Sequence, residues 1–284
     1  MKKLYAYSMI SFIGIIFFYI YNIQTKENSN KDKKIKVAIV DSGINEDHPA
    51  LAGKIVKQFN AINPKDSNKD AFGHGTPIAG IITAQNNKNM SGLSQKVELY
   101  DVKVLSETGK GEIETFIKGI EWCIKQDVDI MNVSFGVQVH YPELEEAINK
   151  AIASGIIVVA AAGNTFGFGV DYPAKYKDVI SISSVDKNFK RPISAAKGKI
   201  DFVAPGEKIL STDKNGGYSE FSGTSFATAY VSNYIAELLA TESNSKEKDI
   251  ELIRVKELLI NLSKDLGDEG FDSSYGYGVL IKNE

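Results

Sequence analysis

Three segments of the chain carry side chains suited to nucleophilic chemistry. Asp41 ends an apolar run in VAIVDSGI, His74 lies between glycines in GHGTPIAGI, and Ser225 follows Gly-Thr in FSGTSFATA. A carboxylate, an imidazole and a hydroxyl are the parts of a hydrolase in which a base activates a serine nucleophile. Each signal is weak alone, because Asp-Ser-Gly often forms a turn, a histidine can be structural and a serine often caps a helix. Together, in the chain order Asp, His, Ser, they match one of the known orders of a catalytic triad.

These side chains need a scaffold to position them, and the apolar pattern predicts one. Buried-strand patterns rich in β-branched residues occur at 34–42, 97–105, 128–134, 155–163 and 178–185. Helical patterns occur at 111–127, at 142–154 and from Ser225 to about Leu239. Strands that alternate with helices predict an α/β fold with three layers, in which helices flank a mostly parallel central sheet. Functional side chains of such sheets gather at the carboxyl ends of the strands.

Composition excludes several classes of protein. The chain has 33 Lys and Arg residues against 36 Asp and Glu residues, a formal net charge of −3. This near balance argues against a nucleic-acid binder, because such proteins neutralise phosphates with an excess of basic side chains. The single cysteine, Cys123, excludes an internal disulfide and a multi-cysteine metal site. Because Cys123 borders the apolar stripe of the helix at 111–127, we interpret it as a small buried residue rather than a catalytic thiol.

The N-terminal part of the chain differs from the rest. Residues 4–25 contain no charged side chain, and about 20 apolar residues in a helix cover the roughly 30 Å of a bilayer. We interpret residues 1–25 as a membrane anchor, spanning through residues 4–23, or as a cleaved secretory signal; a hydrophobic helix docked on the domain is a third alternative. Residues 26–34 form a polar linker and residues 35–284 the folded domain. A membrane-anchored or secreted protein with an extracellular domain is expected, although lysines on both sides of the segment leave its orientation open.

Six motifs in a fixed order carry a family resemblance. They are DSG at 41–43, HGT at 74–76, AAGN ending at Asn164, YPAKY from Tyr172, VAPG from Val203 and SGTSFA around Ser225. With these motifs the chain resembles the subtilisin-like serine proteases (subtilases) over roughly residues 35–281. The resemblance implies the three-layer subtilisin-like fold, with Ser225 as nucleophile, His74 as its base and Asp41 as the group that orients the histidine. It also implies that Asn164 donates an N–H to the oxyanion, together with the backbone N–H of Ser225.

The family binds its peptide substrate in extended form, paired with exposed backbone of the enzyme. The two segments that clamp the peptide match Gly109-Lys110-Gly111 and Ser134-Phe135-Gly136 here. By the same resemblance, Phe135, Ile113 and Phe116 line an apolar pocket for the fourth residue before the scissile bond, with ordinary core packing as the alternative. A peptide or precursor peptide is therefore the expected partner, and no nucleic acid is expected.

Asp171 is a departure from the family that bears on specificity. It directly precedes Tyr172-Pro173, where members without a charge preference commonly have a small residue at the base of the pocket for the residue before the cut. A carboxylate withdrawn from water at this place would favour Arg or Lys, with an amide such as Gln as second choice. The alternative is an Asp that faces solvent in the glycine-rich loop NTFGFGVDY.

Further departures concern metals and maturation. The family's commonest calcium site uses an Asp two residues after a His, whereas His48 is followed by Pro49 and Ala50. Asn87 could match another ligand, but its loop is short. We therefore expect this calcium site to be lost and predict no cofactor and no metal. About 10 linker residues separate the hydrophobic segment from the domain, too few for the folded pro-domain that secreted members usually carry.

The sequence as a whole predicts a serine endopeptidase of the EC 3.4.21 class that acts through an acyl-enzyme and processes a specific precursor. The subgroup suggested by the resemblance is the lantibiotic leader peptidases, which remove the leader from a modified bacterial peptide of the bacteriocin type. A broad-specificity degradative subtilase is the alternative within the enzyme class. An inactive relative that only binds peptides is a remote alternative, because the catalytic motifs are intact.

Overall fold

The computed structural model describes residues 34–83, 96–242 and 252–282. The strands in these ranges are β1 (Ile35–Asp41), β2 (Ile55–Asn60), β3 (Val97–Lys103), β4 (Ile130–Val133), β5 (Ile157–Ala161), β6 (Ile180–Val185), β7 (Phe202–Pro205), β8 (Ile209–Thr212) and β9 (Tyr218–Phe221). The helices are α1 (Gly75–Thr83), α2 (Ile113–Gln126), α3 (Pro142–Ala153), α4 (Thr224–Glu242) and α5 (Leu252–Leu262). The predicted segment 1–25 lies outside the described residues, as does the linker except for Lys34.

Seven of the strands form one sheet in the order β2-β3-β1-β4-β5-β6-β7. Every neighbouring pair in this sheet is parallel, while β8 and β9 form a separate antiparallel pair. From β1 the strand order runs outward in both directions, so the sheet reverses its direction of growth at β1. Such a reversal opens a crevice at the carboxyl ends of the strands, and Asp41 is the last residue of β1.

Apolar side chains cover both faces of the sheet. Successive residues of a strand point to opposite faces, so Val40 joins the core that contains Ile120 of α2 and the buried side of α3. Ile39 joins the other core, with Ile82 of α1 and Ile235 of α4. The sheet therefore lies between two helical layers, and the predicted three-layer α/β fold is confirmed.

All eight predicted elements are present, whereas β2, β7, β8, β9 and α5 were not predicted. The five predicted strands are β1, β3, β4, β5 and β6, and the three predicted helices are α2, α3 and α4. Cys123 is fully buried on α2, and this burial raises the pKa of its thiol, as expected of a structural cysteine. Within residues 34–83, 96–242 and 252–282, no helix combines the length and apolarity needed to cross a bilayer; the predicted spanning segment 4–23 is not among these residues.

Candidate active site

Asp41 and His74 meet at the carboxyl edge of the sheet. Asp41 is fully buried at the end of β1, and His74 immediately precedes α1. Both oxygens of the Asp41 carboxylate lie 2.9 Å from His74 Nδ1. Nδ1 therefore donates to the carboxylate, and Nε2 is left as the nitrogen that can accept a proton. Gly75 permits this approach, because a Cβ at that position would lie 2.2 Å from the carbonyl oxygen of Gly43.

The charges around His74 favour its protonated form. Burial alone would lower the pKa of the imidazole, but the charge and hydrogen bond of Asp41 and the charge of Asp70 outweigh that effect and raise it. An imidazolium formed during a reaction would therefore be stabilised by two carboxylates.

Asp70 organises the turn that carries His74. Its Oδ1 accepts hydrogen bonds from Ser42 Oγ and Gly73 N, both at 2.7 Å. Its Oδ2 accepts from Thr76 N at 2.9 Å and from Thr76 Oγ1 at 2.6 Å. Ser42 continues the network, since its backbone N–H donates to Asp41 Oδ1 at 2.7 Å. Asp70 is not among the residues predicted from the sequence; the available signal is an acidic residue four positions before the histidine, in a loop that leads into a helix.

Ser225 is the second residue of α4, and its hydroxyl donates to the carbonyl oxygen of Ser134 at 2.7 Å. Ser134 directly follows β4, and its own Oγ accepts from Asn132 Nδ2 at 2.7 Å and donates to Ser225 O at 3.4 Å. The ring of Phe226, the next residue, lies 5.7 Å from the His74 ring. The start of α4 thus adjoins His74, while the Ser225 hydroxyl is hydrogen-bonded to Ser134.

Asn164 lies over the turn that leads into α4. Its Oδ1 accepts a hydrogen bond from Thr224 N at 3.3 Å, which leaves the Nδ2 donors available. Gly223 has φ +136, and a Cβ at this position would lie 3.1 Å from Asn164 Nδ2. The exposed amide of Asn164 and the N-terminus of α4 therefore present N–H groups to the same region.

The two predicted substrate-binding segments lie on one pocket of about 100 Å³. Its lining includes Gly109, Gly111, Ile113, Phe116, Phe135 and Gly136. The rings of Phe116 and Phe135 meet edge to face at 4.8 Å. Lys110 is exposed and closes a turn, because its carbonyl oxygen accepts from Ser106 N at 2.8 Å. Backbone of both segments thus borders an apolar depression, as an extended peptide would require.

Backbone hydrogen bonds hold Asp171 between β5 and the segment after β4. Its N–H donates to Ala162 O at 2.9 Å. The following residue, Tyr172, exchanges two hydrogen bonds with Val137, at 2.8 and 2.9 Å. Asp171 is thereby placed next to both the Ser134–Gly136 segment and the chain that leads to Asn164.

The Asp171 side chain fills space that two glycines leave open. A Cβ on Gly136 would lie 2.6 Å from Asp171 Cβ, and a Cβ on Gly163 would lie 2.3 Å from Asp171 Oδ2. The carboxylate is half-buried, and desolvation raises its pKa. Among the described residues, no side chain or backbone group forms a hydrogen bond or ion pair with it. Within the described ranges, the Asp171 carboxylate is thus unpaired and lies beside Gly136 and Gly163.

The prediction that the calcium site is lost is not tested by the described part of the chain. No group of three or more His, Cys, Asp and Glu side chains within it could hold a metal ion. Asn87, the potential ligand named from the sequence, lies outside the described residues.

Comparisons with known proteins agree with this geometry. Residues 32–278 match the model of the subtilase family. The chain is 38% identical to the intracellular serine protease of Paenibacillus polymyxa over 255 residues, covering 85% of this chain and 77% of that protein. It is 36% identical to the minor extracellular protease Epr of Bacillus subtilis (strain 168) over 252 residues, covering 87% of this chain and 38% of that protein. The crystal structure of a cold adapted subtilisin-like serine proteinase matches with a TM-score of 0.76 and 25% identity, covering 89% of this chain and 91% of that one. The chain therefore belongs to the subtilase family and is a serine endopeptidase with a subtilisin-like fold.

Proposed function

We propose that this peptidase processes a precursor peptide by cutting after a basic residue, with Asp41, His74 and Ser225 as its catalytic triad. The proposed preference for a basic residue rests on the Asp171 carboxylate, which is half-buried and unpaired among the described residues. A guanidinium or ammonium group entering beside it would supply the missing partner.

The proposed reaction begins with a change in the hydrogen bond of Ser225. Its Oγ–H now points to Ser134 O, and rotation about Cα–Cβ redirects the proton to His74 Nε2. Oγ then attacks the scissile carbonyl carbon while Nε2 takes the proton, and Asp41 stabilises the imidazolium through Nδ1. The C–N bond breaks as His74 returns the proton to the leaving amine. Water, activated by the same histidine, hydrolyses the acyl-enzyme and restores Ser225.

The tetrahedral intermediate needs donors for its oxyanion. The Nδ2 group of Asn164 is available, because Oδ1 is the atom held by Thr224 N. The backbone N–H of Ser225 lies at the positive end of α4. Two donors fixed before the reaction stabilise charge that develops only in the transition state. Their interaction energy therefore lowers the activation barrier and raises kcat.

The proposed substrate class is a peptide with a removable leader, of the lantibiotic type, whose leader ends in Arg or Lys. A carboxylate that selects Arg or Lys supports this class because it would restrict cleavage to few sites in a precursor. The two relatives are named as an intracellular serine protease and a minor extracellular protease, names that specify no precursor, so a broad degradative role is the competing function. Many unrelated cleavage sites would favour that alternative.

We also infer that residues 4–23 hold the domain at a membrane. The charge-free stretch supports this location, whereas the relatives are named both intracellular and extracellular. Membrane fractionation of cells making the full chain, beside a variant lacking residues 2–25, tests this; a soluble or shortened full-chain product would overturn it.

The cleavage specificity is tested with a diverse peptide library and products identified by mass spectrometry. Wild-type enzyme, Ser225→Ala and Asp171→Asn are compared at one enzyme concentration. We expect cuts after Arg and Lys with wild type, none with Ser225→Ala, and a fall of about 30-fold in kcat/KM for Arg peptides with Asp171→Asn, equivalent to roughly 2 kcal/mol for a partly desolvated charge pair.

Two outcomes would contradict the proposal. Wild-type cuts after many residue types, unchanged in Asp171→Asn, would exclude Asp171 as the specificity group and favour the degradative role. Equal cleavage by wild type and Ser225→Ala would exclude the proposed nucleophile. A precursor with a leader ending in Arg, beside the same precursor ending in Ala, then tests the processing role directly.

A further inference from the structure

Three large apolar side chains are exposed on two joined loops close to Asn164. Phe166, Phe168 and Ile193 are 65%, 92% and 81% exposed, and we call these three residues the apolar patch. The two loops are joined because Phe166 N donates to Ser194 O at 2.8 Å. A lone exposed apolar side chain is ordinary, but several large ones rimmed by polar groups mark an interaction site.

The turn at 165–169 holds its two phenylalanines in water in a fixed conformation. Phe168 N donates to Thr165 O at 3.0 Å, and Thr165 Oγ1 donates to Gly169 O at 2.6 Å. Phe166 has φ +55, a left-handed conformation that is unfavourable for a bulky side chain. The turn therefore displays its aromatic rings where a polar side chain would be better solvated.

Basic side chains accompany the apolar patch. Residues 186–197 carry four Lys and Arg side chains against one acidic side chain, although the chain as a whole has a net charge of −3. Lys187, Lys190 and Lys197 are exposed. Lys197 borders the turn, since a Cβ on Gly167 would lie 3.9 Å from its side chain. The surface around the patch is therefore locally positive on an acidic protein.

This combination matches the chemistry of an anionic lipid surface. Exposed aromatic and aliphatic side chains insert at the boundary between headgroups and acyl chains, and lysines bind anionic headgroups. The core of a protein–protein interface is instead depleted of lysine. The charge pattern thus favours a lipid surface over a protein partner.

We propose that the apolar patch and its lysines dock the folded domain on an anionic membrane surface. Asn164 lies two positions before Phe166, so docking would place one side of the active site beside the lipid headgroups, where it meets peptides bound to the same surface. This contact goes beyond the proposed function, because it depends neither on residues 4–23 nor on the preference for a basic residue.

The depth of residue 168 in the membrane tests the proposal. The full chain carries Ser225→Ala, which prevents self-digestion, together with Phe168→Trp or the matched control Ile62→Trp. Ile62 is 46% exposed and follows β2, at the opposite edge of the sheet from β6 and β7. Each protein is combined with vesicles of acyl-brominated phosphatidylcholine containing about 30% phosphatidylglycerol, and quenching of Trp fluorescence is measured. Protein with Ser225→Ala alone gives the background of Trp122, the only native Trp.

We expect bromine to quench Phe168→Trp by about half or more, and Ile62→Trp no more than the background. Adding Lys190→Glu and Lys197→Glu, or omitting phosphatidylglycerol, should raise the lipid concentration for half-maximal quenching by about tenfold or more. Because bromine reports only the depth of the fluorophore, the result does not depend on whether residues 4–23 are retained.

Several results would overturn the proposal. They are quenching of Phe168→Trp at background level, equal quenching at both positions, and half-maximal quenching that is unchanged without phosphatidylglycerol. A shift in the emission of Phe168→Trp that follows protein concentration, with no effect of vesicles, would identify a second copy of the chain as the partner instead.

A kinetic measurement distinguishes membrane docking from direct contact with the substrate. With Ser225 intact, Phe168→Ser should lower kcat/KM by about tenfold for an acylated Arg peptide bound to the vesicles and by less than about twofold for the same peptide without the acyl chain. Equal losses for both peptides would show that the patch binds substrate and would overturn the proposal. If wild type cuts neither peptide, the proposed function fails, while the quenching experiment still decides the membrane contact.

Discussion

Asp171 and Asp201 are two carboxylates with opposite surroundings in the fold. Asp201 is almost fully buried and is bound by Lys199, Lys256 and the N–H of Ser181. Asp171 is half-buried, and no described residue pairs with it. A carboxylate satisfied by the fold stabilises the fold, whereas one left desolvated and unpaired beside a cleft is available to a ligand.

The two carboxylates have opposite effects on the stability of the enzyme. An ionised group withdrawn from water without a partner lowers stability, so Asp171 costs the empty enzyme free energy that, under the proposed specificity, a cationic substrate would recover. Such a residue is expected at a site where binding matters more than stability. Asp201 has the opposite balance, because its two lysines would be left uncompensated without it.

The largest expected effect is on stability, in Asp201→Asn. This variant should lower the free energy of unfolding by about 3 kcal/mol, the lower end for a buried ion pair, because both lysines keep some contact with water. Urea unfolding at pH 7 measures it. Asp171→Asn is the matched control and should be as stable as wild type or more so, since it removes an unpaired desolvated charge. Equal losses in both variants would show that the two carboxylates do not differ in the way described.

The second prediction tests the role of the Asp171 carboxylate through the pH dependence of specificity. Desolvation raises the pKa of Asp171, so its carboxylate becomes protonated as the pH falls through that raised value. The ratio of kcat/KM for an Arg peptide to that for the matching Gln peptide should be constant at higher pH and fall by about 30-fold at low pH. Ionisation of His74 affects both peptides equally and cancels in the ratio. Asp171→Asn should give a flat ratio, and a flat ratio in wild type would exclude the carboxylate as the selective group.

Much of the fold could be predicted because its central strands are apolar. β1, β3, β4, β5 and β6 are almost entirely buried. Apolar residues dominate β1, β4 and β5, whereas β3 contains Glu98, Asp101 and Lys103 and β6 contains three serines. β2 was missed because it is an edge strand whose residues Val56, Lys57 and Gln58 are exposed. β8 and β9 were missed because four-residue strands with exposed positions have no clear apolar pattern.

Some residues of the candidate site could be predicted from the sequence and others could not. Asp41, His74, Asn164 and Ser225 could be recognised because each lies in a short motif. Asp70 could not, because it lies in none of these motifs and its partner Ser42 is 28 residues away along the chain. Contacts between side chains that are remote in the sequence depend on the fold and leave no pattern in a single sequence.

The smallest predicted effect concerns Asp70. Like Asp201, its carboxylate oxygens are bound by other groups of the fold, but its charge also affects His74. Its charge contributes to the raised pKa of His74, and the enzyme needs neutral His74 to accept a proton. In Asp70→Asn the pKa of His74 should fall, so the acidic limb of the pH profile of kcat/KM should move to lower pH. The plateau should fall by about tenfold, because an amide cannot accept all the hydrogen bonds that the carboxylate accepts.

Ser42→Ala is the matched control for Asp70→Asn. It removes the hydrogen bond from Ser42 Oγ to Asp70 Oδ1 and the one from Gly75 N to Ser42 Oγ but keeps the carboxylate charge, so the plateau should fall while the acidic limb stays in place. Movement of the limb in both variants, or in neither, would contradict a role for the Asp70 charge. If only Asp70→Asn moves it, Asp70 acts on the imidazole electrostatically as well as through the turn, which distinguishes it from Asp201, whose charge is balanced by its own lysines.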